Sequence, residues 1–169
     1  MKRFLILVCL LIACLRCNGS EGYRFEIEHD TDQRVQIAHV DIIDDMLIIE
    51  AVYHNTTDST VYVRLCSRRS PDFMIEKHVD GAWIKAASPV CTLLPNPPIV
   101  IESGQHYRST IRVWVIDLER DGTWRVTELP GRYRVVYGLY RTWEPENSRR
   151  WGLALPDLSR TSNAFRIID

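Results

Sequence analysis

From Tyr23 onward, apolar and polar residues alternate with a period of two, and turn-forming clusters interrupt the alternation at short intervals. A period of two places successive side chains on opposite faces of an extended chain, so the pattern restricts this sequence to half-buried β-strands. Strands are predicted over residues 23–28, 35–41, 46–54, 61–66, 73–79, 82–86, 99–101, 106–116, 132–140 and 163–168. Asn55-Thr56-Thr57-Asp58-Ser59, Asp80-Gly81, Ser103-Gly104, Asp121-Gly122 and Pro130-Gly131 punctuate them. No window carries a 3.6-residue stripe, and residues 118–120 could form one helical turn at most. Many short strands without helices predict an all-β sandwich or barrel. Alternation groups the core side chains as Leu47, Ile49, Ala51 and Tyr53; Val61, Val63 and Leu65; Ile111, Val113 and Val115; and Tyr133, Val135, Tyr137 and Leu139. Asp80-Gly81 predicts a two-residue type I′ hairpin, since both central positions need positive φ. Trp83, just beyond it, reads as a packing residue rather than a ligand platform.

The N-terminus is of a different kind. Met1-Lys2-Arg3 precedes an apolar run over residues 4–15, too short for the roughly 20 residues of a membrane-spanning helix. Length, basic start and small residues near the end match a secretory signal. Leu11-Ile12-Ala13-Cys14 resembles the lipobox of bacterial lipoproteins. That resemblance implies a signal peptide over 1–13, diacylglyceryl attachment to Cys14, a lipidated tether over 14–22 and one domain over 23–169. The protein would then partner the membrane through its acylated N-terminus, and Leu15 in place of an aspartate implies the outer membrane. The alternative is plain secretion, with cleavage around residues 17–20.

Charge argues against nucleic acid. Lys and Arg number 21 against 22 Asp and Glu, and the formal net charge is −1. Of five cysteines, Cys9 would leave with the signal and Cys14 would carry lipid. Cys66 and Cys91 remain as the pair within the folded body, and an oxidising compartment favours their disulfide. Cys66, next to inward Leu65, is expected to point away from the core, so that the bridge pins a peripheral segment. Cys17 is left over in the tether.

Leu129-Pro130-Gly131-Arg132-Tyr133-Arg134-Val135 resembles the turn and tyrosine that enter the F strand of immunoglobulin-like domains. There a buried tyrosine hydroxyl bonds back to the corner. Val135 stands where antibody domains carry a cysteine. The order of Asn55, the Asp80-Gly81-Ala82-Trp83 hairpin, Ser103-Gly104-Gln105-His106-Tyr107, Gly131-Arg132-Tyr133 and Asn163-Ala164-Phe165-Arg166-Ile167 is similar to bacterial immunoglobulin-like domains of surface lipoproteins. The resemblance implies an immunoglobulin-like antiparallel β-sandwich, an envelope or extracellular protein as partner, and no catalytic residues.

The residues themselves carry no catalytic constellation. His29, His39, His54, His78 and His106 are dispersed without metal-ligand spacing. Asp41, Asp44 and Asp45 cluster at an expected turn, without EF-hand spacing. No nucleophile elbow, phosphate loop or cofactor motif occurs, so neither a metal nor a cofactor is expected. One segment exceeds structural need. Between the last two strands lies a long loop over 141–156, rich in the residue types of binding hot spots: Tyr140, Arg141, Trp143, Arg149, Arg150 and Trp151. Either this loop binds a partner, or Trp143 and Trp151 fold down to cap the sandwich end. The expected function is a non-catalytic interaction or structural module of the cell envelope. The rivals are a secreted inhibitor-like domain presenting the 95–98 or 141–156 loop, and an enzyme whose site assembles across loops.

Overall fold

A computed structural model of the chain describes residues 23–67, 70–89, 91, 96–115, 129–143 and 152–169. The expected signal peptide and tether over 1–22, with Cys14, and also Arg149, Arg150 and Trp151 lie outside the described residues, as do the expected turns at 118–122. The described chain forms β1 (Arg24–Ile27), β2 (Val35–Ile43), β3 (Met46–His54), β4 (Val61–Val63), β5 (Phe73–Val79), β6 (Ala82–Ala87), β7 (Ile99–Ile101), β8 (His106–Trp114), β9 (Gly131–Tyr137), β10 (Leu139–Tyr140), a single helical turn α1 (Asp157–Arg160) and β11 (Phe165–Ile168). They assemble into antiparallel sheets ordered β1-β11-β9-β5-β6, β2-β3-β8 and β10-β4-β7. The fold is all-β, as the period of two requires.

Local chemistry sets the hairpins. Asp80 and Gly81 have φ of 49° and 83°, with Val79 paired to Ala82, which is the type I′ geometry expected of Asp-Gly. Asp44 and Asp45 do the same between Ile43 and Met46, at φ of 51° and 59°. Aspartate tolerates this left-handed region because its short polar side chain can bond locally. The predicted alternation carries through to packing. Leu47, Ile49, Ala51 and Tyr53 are buried together with Val61, Val63, Ile111, Tyr133, Val135, Tyr137 and Leu139 in one hydrophobic core.

The strand predicted over 61–66 ends at Val63 and the one predicted over 132–140 is interrupted at Gly138, for one reason. Val63 pairs with Leu139 and Phe73 with Tyr137, so the excursion 64–72 stands opposite Gly138 alone. Arg64 N–H donates to Gly138 O, Gly138 N–H to Asp72 O and Asp72 N–H to Arg64 O, which closes the neck of the excursion. A β-carbon at Gly138 would lie 2.7 Å from the Asp72 carboxylate, so a larger residue there would displace Asp72. Leu65 bridges to Pro71 within the excursion, and alternation fails: Leu65 is only partly buried while Cys66 is buried. The expectation that Cys66 lies on the outward side of a continuing strand is corrected accordingly.

Polar residues, unusually, connect the sheets. Thr161, Ser162 and Asn163 are all buried. Ser162 bridges to Val35 of β2, and Thr161 bridges to Val136 of β9. Asn163 Oδ1 accepts from Ile37 N–H at 2.7 Å, its Nδ2 donates to Glu28 O at 2.6 Å, and Ser162 Oγ accepts from Val135 N–H at 2.9 Å. The Ser109 and Tyr137 hydroxyls share a further bond between β8 and β9 at 2.6 Å. Tyr133, fully buried, donates its hydroxyl to Leu129 O at 2.5 Å, as the resemblance implied for the turn before this strand.

Asn163→Ala would leave Ile37 N–H and Glu28 O without their partners and is expected to cost about 2–4 kcal/mol. Tyr133→Phe, which strips only one hydroxyl, is expected to cost about 1–2 kcal/mol. Chemical denaturation of both variants checks the ranking; equal stability to the parent would show that neither bond closes the fold.

Candidate binding surface

The three hot-spot candidates that lie among the described residues come together on the small sheet. On β10, Leu139 points inward and Tyr140 outward. Tyr140 pairs with Tyr62 of β4, and Tyr62 with Val100 of β7, while their inward neighbours are Val63 and Ile99. A bridge from Tyr140 to Ala154 extends the row by one more chain. The outer face therefore carries Ala154, Tyr140, Tyr62 and Val100 side by side across four chains. Val100 is 48% exposed. Trp143 lies half-buried against this row, its ring centroid 6.5 Å from that of Tyr62.

The expected loop over 141–156 starts as an extension of β10. Arg141 N–H donates to Leu153 O and Leu155 N–H to Leu139 O, each at 2.9 Å. This pairing holds Tyr140, exposed Arg141 and Trp143 on ordered backbone, and leaves Leu153 68% exposed beside them. Trp143 thus packs on an aromatic surface outside the core. Sequence reasoning missed Tyr62 and Val100, and it included Leu153 in the candidate loop without singling it out. Alternation marks Tyr62 and Val100 as outward residues, but only the pairing of β4 with β7 and β10 makes them neighbours.

A second aromatic lies on the outer face of the five-stranded sheet. Arg134 Cζ sits 4.3 Å and Arg132 Cζ 5.3 Å from the Trp83 ring centroid, and His78 meets it edge-on at 5.1 Å. Both arginines are engaged by carboxylates: Arg132 makes two bonds to Glu28 at 2.7 and 2.5 Å, and Arg134 bonds Glu76 at 2.6 Å. Arg166 also reaches Glu28, at 3.4 Å. Trp83 packs within a self-satisfied rung of cations and carboxylates. The bond from Arg132, more than its charge, holds the Glu28 carboxyl below the usual glutamate range, with Arg166 adding to it.

Elsewhere polar groups are spread out. Among the described residues, the potential ligand atoms that converge are those of Cys66, Asp72 and Cys91, and there the two sulfurs are joined as a disulfide. The carboxylates of Asp41, Asp44 and Asp45 do not converge in this way. His54 and His106 face each other at 6.0 Å between ring centroids. Near them a polar cleft of about 540 Å³ is lined by Thr31, Asp32, Gln33, Arg34, His54 and Thr56, among others. No described helix is long and apolar enough to cross a membrane.

No family model and no curated protein matches the chain. Among solved structures it is similar to a β-glucosidase from Kluyveromyces marxianus in complex with glucose, at 16% identity and a TM-score of 0.35 over 86% of this chain and 14% of that one. It is similar to an alkylpurine DNA glycosylase from Pseudomonas fluorescens bound to DNA, at 16% identity and a TM-score of 0.34 over 80% of this chain and 31% of that one. A protein from Archaeoglobus fulgidus matches at 14% identity and a TM-score of 0.29, over 69% and 78% of the two chains. The chain spans under a third of the glycosidase and of the glycosylase. Likenesses at this level carry no argument about activity.

The rung around Trp83 has a pH signature. Because folding lowers the pKa of Glu28, its contribution is present above the ordinary glutamate range and is lost as pH falls through the folded value. Glu28→Gln is therefore expected to lower stability at neutral pH and to flatten the loss of stability on acidification. Melting temperatures of the two chains between neutral and strongly acidic pH check this; parallel curves would contradict it.

Proposed function

We propose that the chain is an exported, lipid-anchored and non-catalytic interaction module of the cell envelope, with an immunoglobulin-like sandwich as its domain. The partner is a protein, captured on the outer face of the small sheet by Tyr62, Tyr140, Val100 and Trp143, with Arg141 and Leu153 at the margin. The observation that carries this reading is the outward row Tyr140–Tyr62–Val100 with Trp143 laid against it. Rigid aromatics offer large contact area at little entropic cost, and Tyr, Trp and Arg dominate binding hot spots. Backbone pairing on both sides of Tyr140 pre-orders the row, which reduces the entropy lost on binding.

The immunoglobulin-like reading is supported by the strand order, in which β2-β3-β8 forms one sheet and β11-β9-β5-β6 the body of the other. The Tyr133 hydroxyl bond to Leu129 supports it further. Export and anchoring rest on the lipobox-like Leu11-Ile12-Ala13-Cys14.

Two measurements test the proposal. The full chain used as bait in envelope extract should retain a specific protein, and Tyr62→Ser with Tyr140→Ala should reduce that capture by about 30-fold or more. The melting temperature should change little, since both side chains lie on the outer face. Undiminished capture, or loss of capture only through unfolding, would contradict the proposed surface. Separately, Cys14→Ser should abolish incorporation of labelled fatty acid and release the protein from membranes; unchanged partitioning would refute the anchor.

A further inference from the structure

The Cys66–Cys91 disulfide ties the 64–72 excursion to the segment between β6 and β7. Its two sulfur-bearing residues differ in access: Cys66 is 1% exposed, whereas Cys91 is partly exposed. The Asp72 carboxylate places Oδ1 3.5 Å from Cys66 Sγ. Arg64 Nη1 stands 3.7 Å from its other oxygen. Among the described residues, Arg160 of α1 and Lys85 of β6 are the other charged groups that face it. Burial outweighs these cations and pushes the Asp72 carboxyl above its usual range. A carboxyl whose hold on a proton is strengthened by burial therefore touches the inaccessible sulfur of a disulfide whose other half is partly open to solvent.

We propose that Cys66–Cys91 is an exchange-active disulfide, in which an external thiolate attacks Cys91 Sγ and Asp72 protonates the departing sulfur of Cys66. The incoming sulfur forms a bond to Cys91 Sγ as the bond between Cys91 and Cys66 breaks. The electron pair leaves on Cys66 Sγ, which takes the proton of the Asp72 carboxyl and becomes a thiol. A second external thiolate then attacks the external sulfur of the mixed disulfide and releases Cys91. Two external thiols leave as their own disulfide, and they supply both electrons. The polarity of the reaction follows from burial. Cys66 is too enclosed to be approached, and a thiolate left there would be a desolvated anion. Proton transfer removes that anion, and the new carboxylate meets Arg64 and Arg160. The 64–72 excursion is then freed from the 91 segment.

The test measures reduction of the full chain by dithiothreitol across acidic to neutral pH, with acid quenching, alkylation and peptide mapping of Cys66 and Cys91. Divided by the thiolate fraction of the reductant, the rate constant should fall as pH rises through the titration of Asp72. In Asp72→Asn it should be flat, and about 100-fold lower than the parent at the acidic end. Glutathione should be trapped on Cys91. A pH-independent corrected rate in the parent chain, or glutathione on Cys66, would overturn the proposal; the parent profile decides even if the variant fails to fold.

Discussion

The architecture depends on a short buried polar strap. Thr161-Ser162-Asn163 sits between β2 and β9 and satisfies backbone groups of both through bridges and side-chain bonds. Burying such groups is costly unless every donor and acceptor is met, so the strap tolerates one arrangement of the two sheets and penalises sliding between them. Hydrophobic burial drives the sheets together without specifying register; the strap supplies the register. Asn55 repeats the device just beyond β3. It is buried, donates to Ser59 O and Ile101 O, and accepts from Thr57, which fixes β7 against the end of β3.

Once the main sheets are fixed, the small sheet has little freedom. Gly138 lets β9 run directly into β10, and the closed neck at Arg64 and Asp72 returns β4 to the same ladder after the excursion. Leu139, Val63, Ile99 and Ile101 then anchor the sheet in or against the common core. Tyr62, Tyr140 and Val100 must face outward because their neighbours face inward. The aromatic row is in this sense a consequence of core packing, and it persists at a surface where nothing in the fold requires aromatic residues.

Much of this was legible in advance. Alternation located the strands within one to three residues at most ends, since burial on one face imposes it directly on sequence. Asp80-Gly81 announced its own turn through the φ it requires, and Tyr133 announced its bond through its place after Pro130-Gly131. Other features were hidden because they arise from pairing between distant residues. Nothing local shows that Gly138 faces a whole excursion, so the strands through Cys66 and through Tyr140 looked continuous. Thr161-Ser162-Asn163 reads as an ordinary polar connection, and only its partners on β2 and β9 make it structural. Tyr140, Arg141 and Trp143 were recognisable as binding candidates by residue type, but Tyr62 and Val100 join them solely through strand order.

The central claim is that one face of the molecule, the outer surface of the small sheet, meets the partner. Site-specific photo-crosslinking tests it most directly, with a photoreactive amino acid replacing Val100 in one chain and Arg166, on the outer face of the five-stranded sheet, in another. Irradiation in intact envelopes should give a single discrete protein adduct from position 100 and none from position 166. Adducts from position 166 alone, or equal adducts from both positions, would contradict the account.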